Sequence, residues 1–391
     1  MIHVRTLLLP YFVCFIAVLS LTKACGQVVV GAARTQEYVH LLKGKSVAMV
    51  VNHTSVVGKT HLVDSLLTLG VRIKTIFAPE HGFRGDASAG EKISNSLDPK
   101  TGVKIVSLYG KNLKPTAAQL ADIDIVVFDI QDVGVRFYTY ISTMTYVMDA
   151  CADNNKQLLI LDRPNPNGHY VDGPVLDLKL KSFVGMLPIP VVHGLTVGEL
   201  ATMIKGEKWG ESTKKLKKLT VIKCQNYTHQ TAYAPPIAPS PNLPNLQAIQ
   251  LYPSLCFFEA TNISVGRGTE KQFQVIGGTD AALGTYQFTP VDRPGAANPP
   301  NKNKLCYGQD LSTINSRELG FTLKYLIEMY QKSSDKASFF NPNNFFEKLS
   351  GTSILRDQIK NGASELDIRS TWQPDLDSFI TKRKEYLLYK N

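Results

Sequence analysis

Acidic residues are scarce in this chain of 391 residues: Asp and Glu number 33 against 43 Lys and Arg, a formal net charge of +10. Arg5 and Lys23 belong to an N-terminal leader, so the remainder carries 41 minus 33, or +8. A surplus of this kind favours anionic partners, whether nucleic acid, lipid headgroups or an acidic glycan. The densest runs, Lys214-Lys215 with Lys217-Lys218 and Lys382-Arg383-Lys384, lack interleaved aromatics and read as solvated helix faces, so nucleic acid is not the expected partner. Cysteine is sparse too, with six residues and no C-x-x-C pair. That spacing argues against a zinc cage or a redox motif and points to one disulfide or none. No G-x-S-x-G elbow, Walker-type G-x-x-x-x-G-K or early G-x-G-x-x-G is present. Serine-elbow, P-loop and dinucleotide chemistries lose their support, and neither metal nor cofactor is expected. Charged residues make up only 19% of the chain against 43% hydrophobic, which rules out disorder and coiled coil and leaves a globular protein of two or three domains.

The one long apolar run is N-terminal. Residues 1–24 place Arg5 before an apolar stretch from Leu7 to Leu21 and end in Thr22-Lys23-Ala24, the pattern of a secretory signal peptide. The stretch is short for a bilayer span and contains Pro10. A periplasmic or secreted protein is expected. Membrane attachment would come only through a lipidated Cys25, for which Lys23 is a poor fit.

Between residues 45 and 195 short β-branched runs alternate with helix-like segments. The runs are Ser46–Val51, Ile73–Phe77, Lys104–Leu108, Ile123–Asp129 and Gln157–Leu161, with Ile189–Val192 a shorter sixth. Their continuous hydrophobicity marks strands buried on both faces, hence a doubly wound parallel α/β sheet over residues 35–206. Prolines then cluster from Pro235 to Pro244, and residues 207–391 read as a second, α+β domain. Helices are expected at Leu319–Gln331 and Leu376–Tyr389, with a turn at Asp367–Gln373 between them.

Unusual polar clusters follow the strand ends, where open parallel sheets bind ligands. Asn52-His53-Thr54 follows the first strand, the Glu80-His81-Gly82-Phe83-Arg84 turn the second and Tyr109-Gly110 the third. Gln131 to Tyr140 follows the fourth and Asp162 to Gly168 the fifth. Glu80 suits a general acid, while Asp129 or Asp132 would orient water or stabilise a developing cation. Tyr138 and Tyr140 offer faces for a sugar ring, and Arg84, Arg136 and Arg163 suit a substrate carboxylate. The bland alternatives stand beside these: Asp129 is equally a helix cap, one of the tyrosines packs in the core, and His53, His81 and His193 have no metal spacing. Thr196 and Glu199 match a capping box and read as structural.

At these residues the chain resembles the NamZ-type exo-β-N-acetylmuramidases, formerly a domain of unknown function. The resemblance runs from about Thr35 to the C-terminus in six ordered blocks: Pro79 to Gly85, Phe128 to Tyr140, Leu161 to Gly168, Val192 to Gly194, Pro239 to Pro244 and Glu259 to Thr269. It implies a Rossmann-like N-terminal domain, a smaller C-terminal α+β domain closing the cleft that holds the active site, and a metal-free glycoside hydrolase that removes terminal N-acetylmuramic acid from the non-reducing end of peptidoglycan fragments, with Glu80 catalytic. Asp129 and Asp132 are the candidates for its partner, alongside a tyrosine or the substrate acetamide. Asn52, His81, Arg84, Arg136, Tyr138, Tyr140, Asn165, His193, Asn242, Glu259 and Arg267 are expected to bind substrate, with Arg136 or Arg267 on the lactyl carboxylate. The rival reading is a non-catalytic muropeptide-binding protein of the cell envelope.

Overall fold

The structure, a computed structural model, describes residues 26–80, 82–84 and 96–390, so the leader, Cys25 and the His81 expectation lie outside the described residues. The first half opens with α1 (Val39–Leu42), β1 (Ser46–Val51), a small hairpin of β2 (Val56–Val57) and β3 (Thr60–His61), and α2 (Leu62–Thr68). Gly70, at φ +77°, ends α2 as the C-cap pattern predicts. There follow β4 (Arg72–Ala78), β5 (Ser96–Leu97), β6 (Lys104–Ser107), α3 (Ala117–Leu120), β7 (Ile125–Asp129), α4 (Tyr140–Asp153), β8 (Gln157–Leu161), α5 (Val197–Gly206) and β9 (Leu219–Ile222).

Seven strands form one sheet in the order β5-β6-β4-β1-β7-β8-β9, and every pairing except β5 with β6 is parallel. Counted in chain order, the parallel strands run 3-2-1-4-5-6, the doubly wound Rossmann-like arrangement, and the winding direction reverses between β1 and β7. Alternation along β1 shows why both faces are apolar. Val47, Met49 and Val51 pack with Leu62 and Leu66 of α2, while Ala48 and Val50 join Phe128 and the Met144 and Met148 stripe of α4.

Sequence and structure part company at the sixth strand. Ile189–Val192 makes only isolated bridges, because Pro188 and Pro190 lack the N–H groups that a central ladder needs. The sheet instead takes β9, which lies past residue 206 where the strand and helix alternation stops.

The second half holds α6 (Leu246–Leu255), the strands β10 (Val275–Gly278), β11 (Tyr286–Phe288) and β12 (Cys306–Asp310) of a small antiparallel sheet, and six further helices. These are α7 (Ser316–Leu319), α8 (Lys324–Lys332), α9 (Phe345–Ser350), α10 (Leu355–Lys360), α11 (Glu365–Ser370) and α12 (Gln373–Arg383). The helix expected across Leu319–Gln331 is broken at Gly320, φ +59°, and restarts where Thr322 Oγ1 accepts the Lys324 amide. Ser364 caps a helix where a turn was expected, and the terminal helix stops at Arg383 rather than continuing to Tyr389. Arg383 does not share the solvated face of its lysine neighbours. It is buried and donates to the Gly194 carbonyl at 2.5 Å.

One hydrophobic core runs through both halves, from Val106 and Phe128 beneath the large sheet to Phe257, Phe346 and Phe379. Arg136 pins the halves together inside it. Only 1% exposed, its Nη1 donates to the carbonyls of Pro174 (2.6 Å) and Ile189 (2.9 Å), and its Nη2 to those of Leu349 (2.9 Å) and Ser350 (2.7 Å). The last two belong to the carboxyl end of α9, where backbone dipoles favour a cation. Burial lowers the Arg136 pKa to about 9. Its replacement by Met should strand four buried carbonyls and cost about 3 kcal/mol or more in urea unfolding, with Arg136→Lys recovering part of the loss. An unchanged unfolding midpoint for Arg136→Met would refute the clamp.

Candidate active site

A cleft of about 640 Å³, counting the space open to solvent, lies at the carboxyl end of the sheet. Glu80, Phe137, Tyr138, Thr139, Tyr140 and Val184 line it from the first half, and Ser240, Asn242, Leu243, Tyr252, Glu259, Arg267 and Phe273 from the second. Glu80 comes two residues after β4, and Gly82, at φ +80°, closes the turn with its amide on the Pro79 carbonyl at 3.0 Å. Two hydroxyls hold the carboxylate. Thr139 Oγ1 donates to Oε2 at 3.0 Å, and Tyr109 forms a second hydrogen bond. Burial and the Glu80 charge push the Tyr109 pKa up to about 12, so it remains a donor at neutral pH. Thr139 is also the N-cap residue of α4, whose positive dipole end therefore lies beside Glu80.

The floor is aromatic. Tyr138 and Tyr140 meet edge to face at 4.9 Å, Tyr138 meets Tyr252 at 6.1 Å, and Tyr252 meets Phe273 at 5.0 Å. Tyr138 is 8% exposed and Tyr140 3%, so the rings shape the floor more than they present open stacking faces. Tyr138 donates to the Pro239 carbonyl at 2.7 Å, tying the floor to the Pro-rich segment. On the opposite wall Arg267 Nε lies 2.6 Å from Glu259 Oε1, and the guanidinium sits 5.3 Å from the Phe273 ring centre. Positive φ at Gly266 (+77°) and Gly268 (+79°) brackets Arg267, and a Cβ on Gly266 would come within 2.5 Å of the Lys271 carbonyl. A loop so constrained holds its arginine in place.

Of the residues the sequence singles out, Glu80, Tyr138, Tyr140, Asn242, Glu259 and Arg267 line this cleft together. The others support it from beneath. Asp129 is fully buried and takes both Arg163 Nε (2.6 Å) and Nη2 (2.8 Å), so it neither caps a helix nor faces substrate. Arg136 is the core clamp described above and does not line the cleft. Arg84 is engaged by both oxygens of Asp98, at 3.0 and 2.9 Å. Asn165 bonds the Leu195 carbonyl and the Asn167 amide, and a Cβ on Gly134 would strike its Oδ1 at 2.1 Å. Asn52 folds its Oδ1 onto Thr54 and reaches only the neighbourhood of Tyr140.

Asp132 and His193 form a buried pair under the tyrosines, with Nε2 4.0 Å from Oδ2. Asp132 accepts the Gly134 amide at 2.7 Å, yet burial raises its pKa to about 7. His193 Nδ1 accepts the Leu195 amide at 3.2 Å, and burial lowers its pKa to about 3, leaving it neutral. Sequence reasoning gave Tyr109, Thr139 and Tyr252 no role. Tyr109 carried a weak signal as a strand-end aromatic, whereas nothing local distinguishes Tyr252. Among the described residues no group of three or more His, Cys, Asp or Glu side chains is placed to hold a metal.

Models of the family described as exo-beta-N-acetylmuramidase NamZ match residues 47–247 with its N-terminal part and 250–389 with its C-terminal part. A Bacillus subtilis (strain 168) protein, peptidoglycan beta-N-acetylmuramidase NamZ, is 36% identical over 379 residues, which is 90% of this chain and 89% of that one. Two crystal structures of DUF1343 family proteins from Bacteroides fragilis NCTC 9343 are similar throughout. One is 50% identical with a TM-score of 0.87, the other 27% with 0.79, each over 93% of this chain and 99% of its own.

The buried Asp132 gives the scaffold a pH signature. Its pKa rises from 3.8 to about 7 on folding, so its contribution is fully present below pH 3.8 and is lost as pH rises towards 7. Asp132→Asn should therefore gain stability relative to wild type across that window, by a few kcal/mol at about 1.4 kcal/mol per pKa unit. Urea unfolding of both proteins between pH 4 and about 8 checks this; a difference independent of pH refutes it.

Proposed function

Since the chain belongs to the NamZ family of exo-β-N-acetylmuramidases, we propose that it releases terminal N-acetylmuramic acid from the non-reducing end of peptidoglycan fragments, with Glu80 as the general acid. The observation that carries this reading is the place of Glu80: a carboxyl group in the cleft at the carboxyl edge of the sheet, held by Thr139 and Tyr109. Thr139 and Tyr109 fix its orientation, and the protonated form of the carboxyl group delivers its proton to the glycosidic oxygen as the bond breaks. The cation that develops on the sugar meets a wall with, among the described residues, one further carboxylate, Glu259, which Arg267 already neutralises. That pairing makes Glu259 a weak nucleophile and favours the substrate's own acetamido oxygen as the group that attacks the anomeric carbon.

Arg267 is the arginine of the cleft wall, and it takes the lactyl carboxylate that distinguishes muramic acid from glucosamine. Glu259 engages it mainly through Oε1, which leaves other guanidinium N–H groups for an incoming carboxylate. We read residues 1–24 as the export signal that brings the enzyme to its substrate outside the cytoplasm.

On a chromogenic β-N-acetylmuraminide, Glu80→Gln should lower kcat by about a hundredfold or more while leaving the fold intact. Wild type without turnover, or a fully active Glu80→Gln, would sink the proposal. For Arg267→Ala we expect KM for the muraminide to rise about tenfold or more, with little change for binding of the matching glucosaminide, which lacks the lactyl group. Equal losses on both sugars would remove Arg267 from that role.

A further inference from the structure

The carboxyl ends of the parallel strands carry the cleft, and their amino ends carry positive charge. Lys45 leads into β1, Arg72 and Lys74 open β4, Lys104 opens β6, and Lys217 and Lys218 lead into β9. These cations come from four separate stretches of sequence. Parallel pairing brings them to one edge, since Ser46 lies beside Arg72, Thr75 beside Lys104 and Leu158 beside Leu219. From β6 to β9 the edge crosses five strand spacings, so the row is about 24 Å long.

Among the described residues none of the six makes an ion pair. Lys45 Nζ spans β7 to donate to the neutral Gln157 Oε1 at 3.0 Å, and nearby Lys156 donates to the Ala121 carbonyl at 3.3 Å. Both bonds anchor the side chains without cancelling their charge. Acids at this edge include Asp122 and Asp124 just before β7, Asp153 before β8 and Glu211 before β9; Asp124 Oδ2 is occupied by the Ser46 amide at 2.7 Å, and Asp153 pairs with Lys114 at 2.8 Å. A groove with Lys74, Lys104 and Gln119 on its rim runs between the sheet and α3.

We infer that this edge docks the protein on the anionic glycan of the cell wall, the insoluble polymer whose ends the cleft is proposed to trim; the inference rests on that functional reading. Single exposed cations bind carboxylates weakly, but a row of them against a polymer with repeating carboxylates acts multivalently and raises the local concentration of chain ends. The row and the cleft occupy opposite edges of one rigid sheet. A strand held at the first leaves the second open to a neighbouring strand. A lipid surface fits less well, because the large apolar side chains exposed at this edge among the described residues are two leucines, Leu69 and Leu97 beside Lys104, with no aromatic wedge.

The test reverses charge at exposed positions outside both the core and the cleft, in the combined variant Lys74→Glu, Lys104→Glu, Lys217→Glu, Lys218→Glu, with a Lys→Gln set at the same positions as a milder control. Each protein is sedimented with purified peptidoglycan sacculi and with phosphatidylglycerol-containing vesicles, from low salt to about 0.5 M, where screening is strong. We expect wild type to sediment with sacculi at low salt and to be released as salt rises. The Glu set should bind about tenfold or more weakly and the Gln set should fall between, while all three hydrolyse the soluble chromogenic muraminide equally. A Glu set that sediments like wild type, wild-type binding indifferent to salt, or preference for vesicles over sacculi would each overturn the inference. Failure to hydrolyse the muraminide would instead count against the catalytic reading, because sedimentation reports binding and not hydrolysis.

Discussion

Everything at the cleft depends on both terminal nitrogens of Arg136 being spent on carbonyls inside the protein. It sits in the segment after β7 that also carries Tyr138, Thr139 and Tyr140, and it grips the last carbonyls of α9 from the other half of the chain. A guanidinium is the one side chain with enough donors in a planar fork to satisfy four carbonyls arriving from three directions. A Cβ on Gly351 would fall 2.5 Å from Nη2, so the neighbouring glycine is part of the same fit. With this joint in place, the tyrosine floor and the Arg267 wall face each other at a set spacing.

A second layer of buried polar groups keeps the first half's loops in register. Asp162 receives the hydroxyls of Thr196 and Tyr389, both at 2.7 Å, and burial raises its pKa to about 6. Glu199 closes the capping box of α5 and also accepts His229 Nε2 at 3.0 Å and the Leu388 amide at 2.8 Å. The C-terminal tail is thereby bonded back onto the first half: the last α-helix ends at Arg383, a 3-10 turn follows at Lys384–Tyr386, and the chain runs extended from Leu387. Carboxylates are thus divided by environment. Asp129 is neutralised by Arg163, Asp132 and Asp162 are desolvated, and Glu80 and Glu259 line the cleft.

Much of the fold was legible from local pattern. Continuous β-branched runs marked five of the six parallel strands, Gly70 and the Thr196–Glu199 box marked helix ends, and the strand-end rule pointed to Glu80. The misses have local causes as well. Pro188 and Pro190 removed a strand that hydrophobicity alone suggested, and Leu219–Ile222 was hidden behind the lysines that precede it. The site was harder to read than the fold. Arg136, Arg163 and Arg84 look alike as cleft arginines in sequence, and each is consumed by partners far along the chain or across a loop. Arg267 keeps its place in the cleft because its partner, Glu259, lines the same wall.

What local order decides here is the periodicity of strands and helices and the turn at Pro79 to Gly82, since backbone geometry and burial of apolar side chains act over a few residues. Which charges face solvent, substrate or one another is a long-range matter. The shortage of acids seen at the outset does not say where the surplus cations go. Parallel pairing gathers several at the amino edge of the sheet, other ion pairs and carbonyl cages absorb the buried arginines, and Arg267 remains in the cleft. Electrostatics between side chains more than a hundred residues apart is decided by packing, and only the folded chain supplies it.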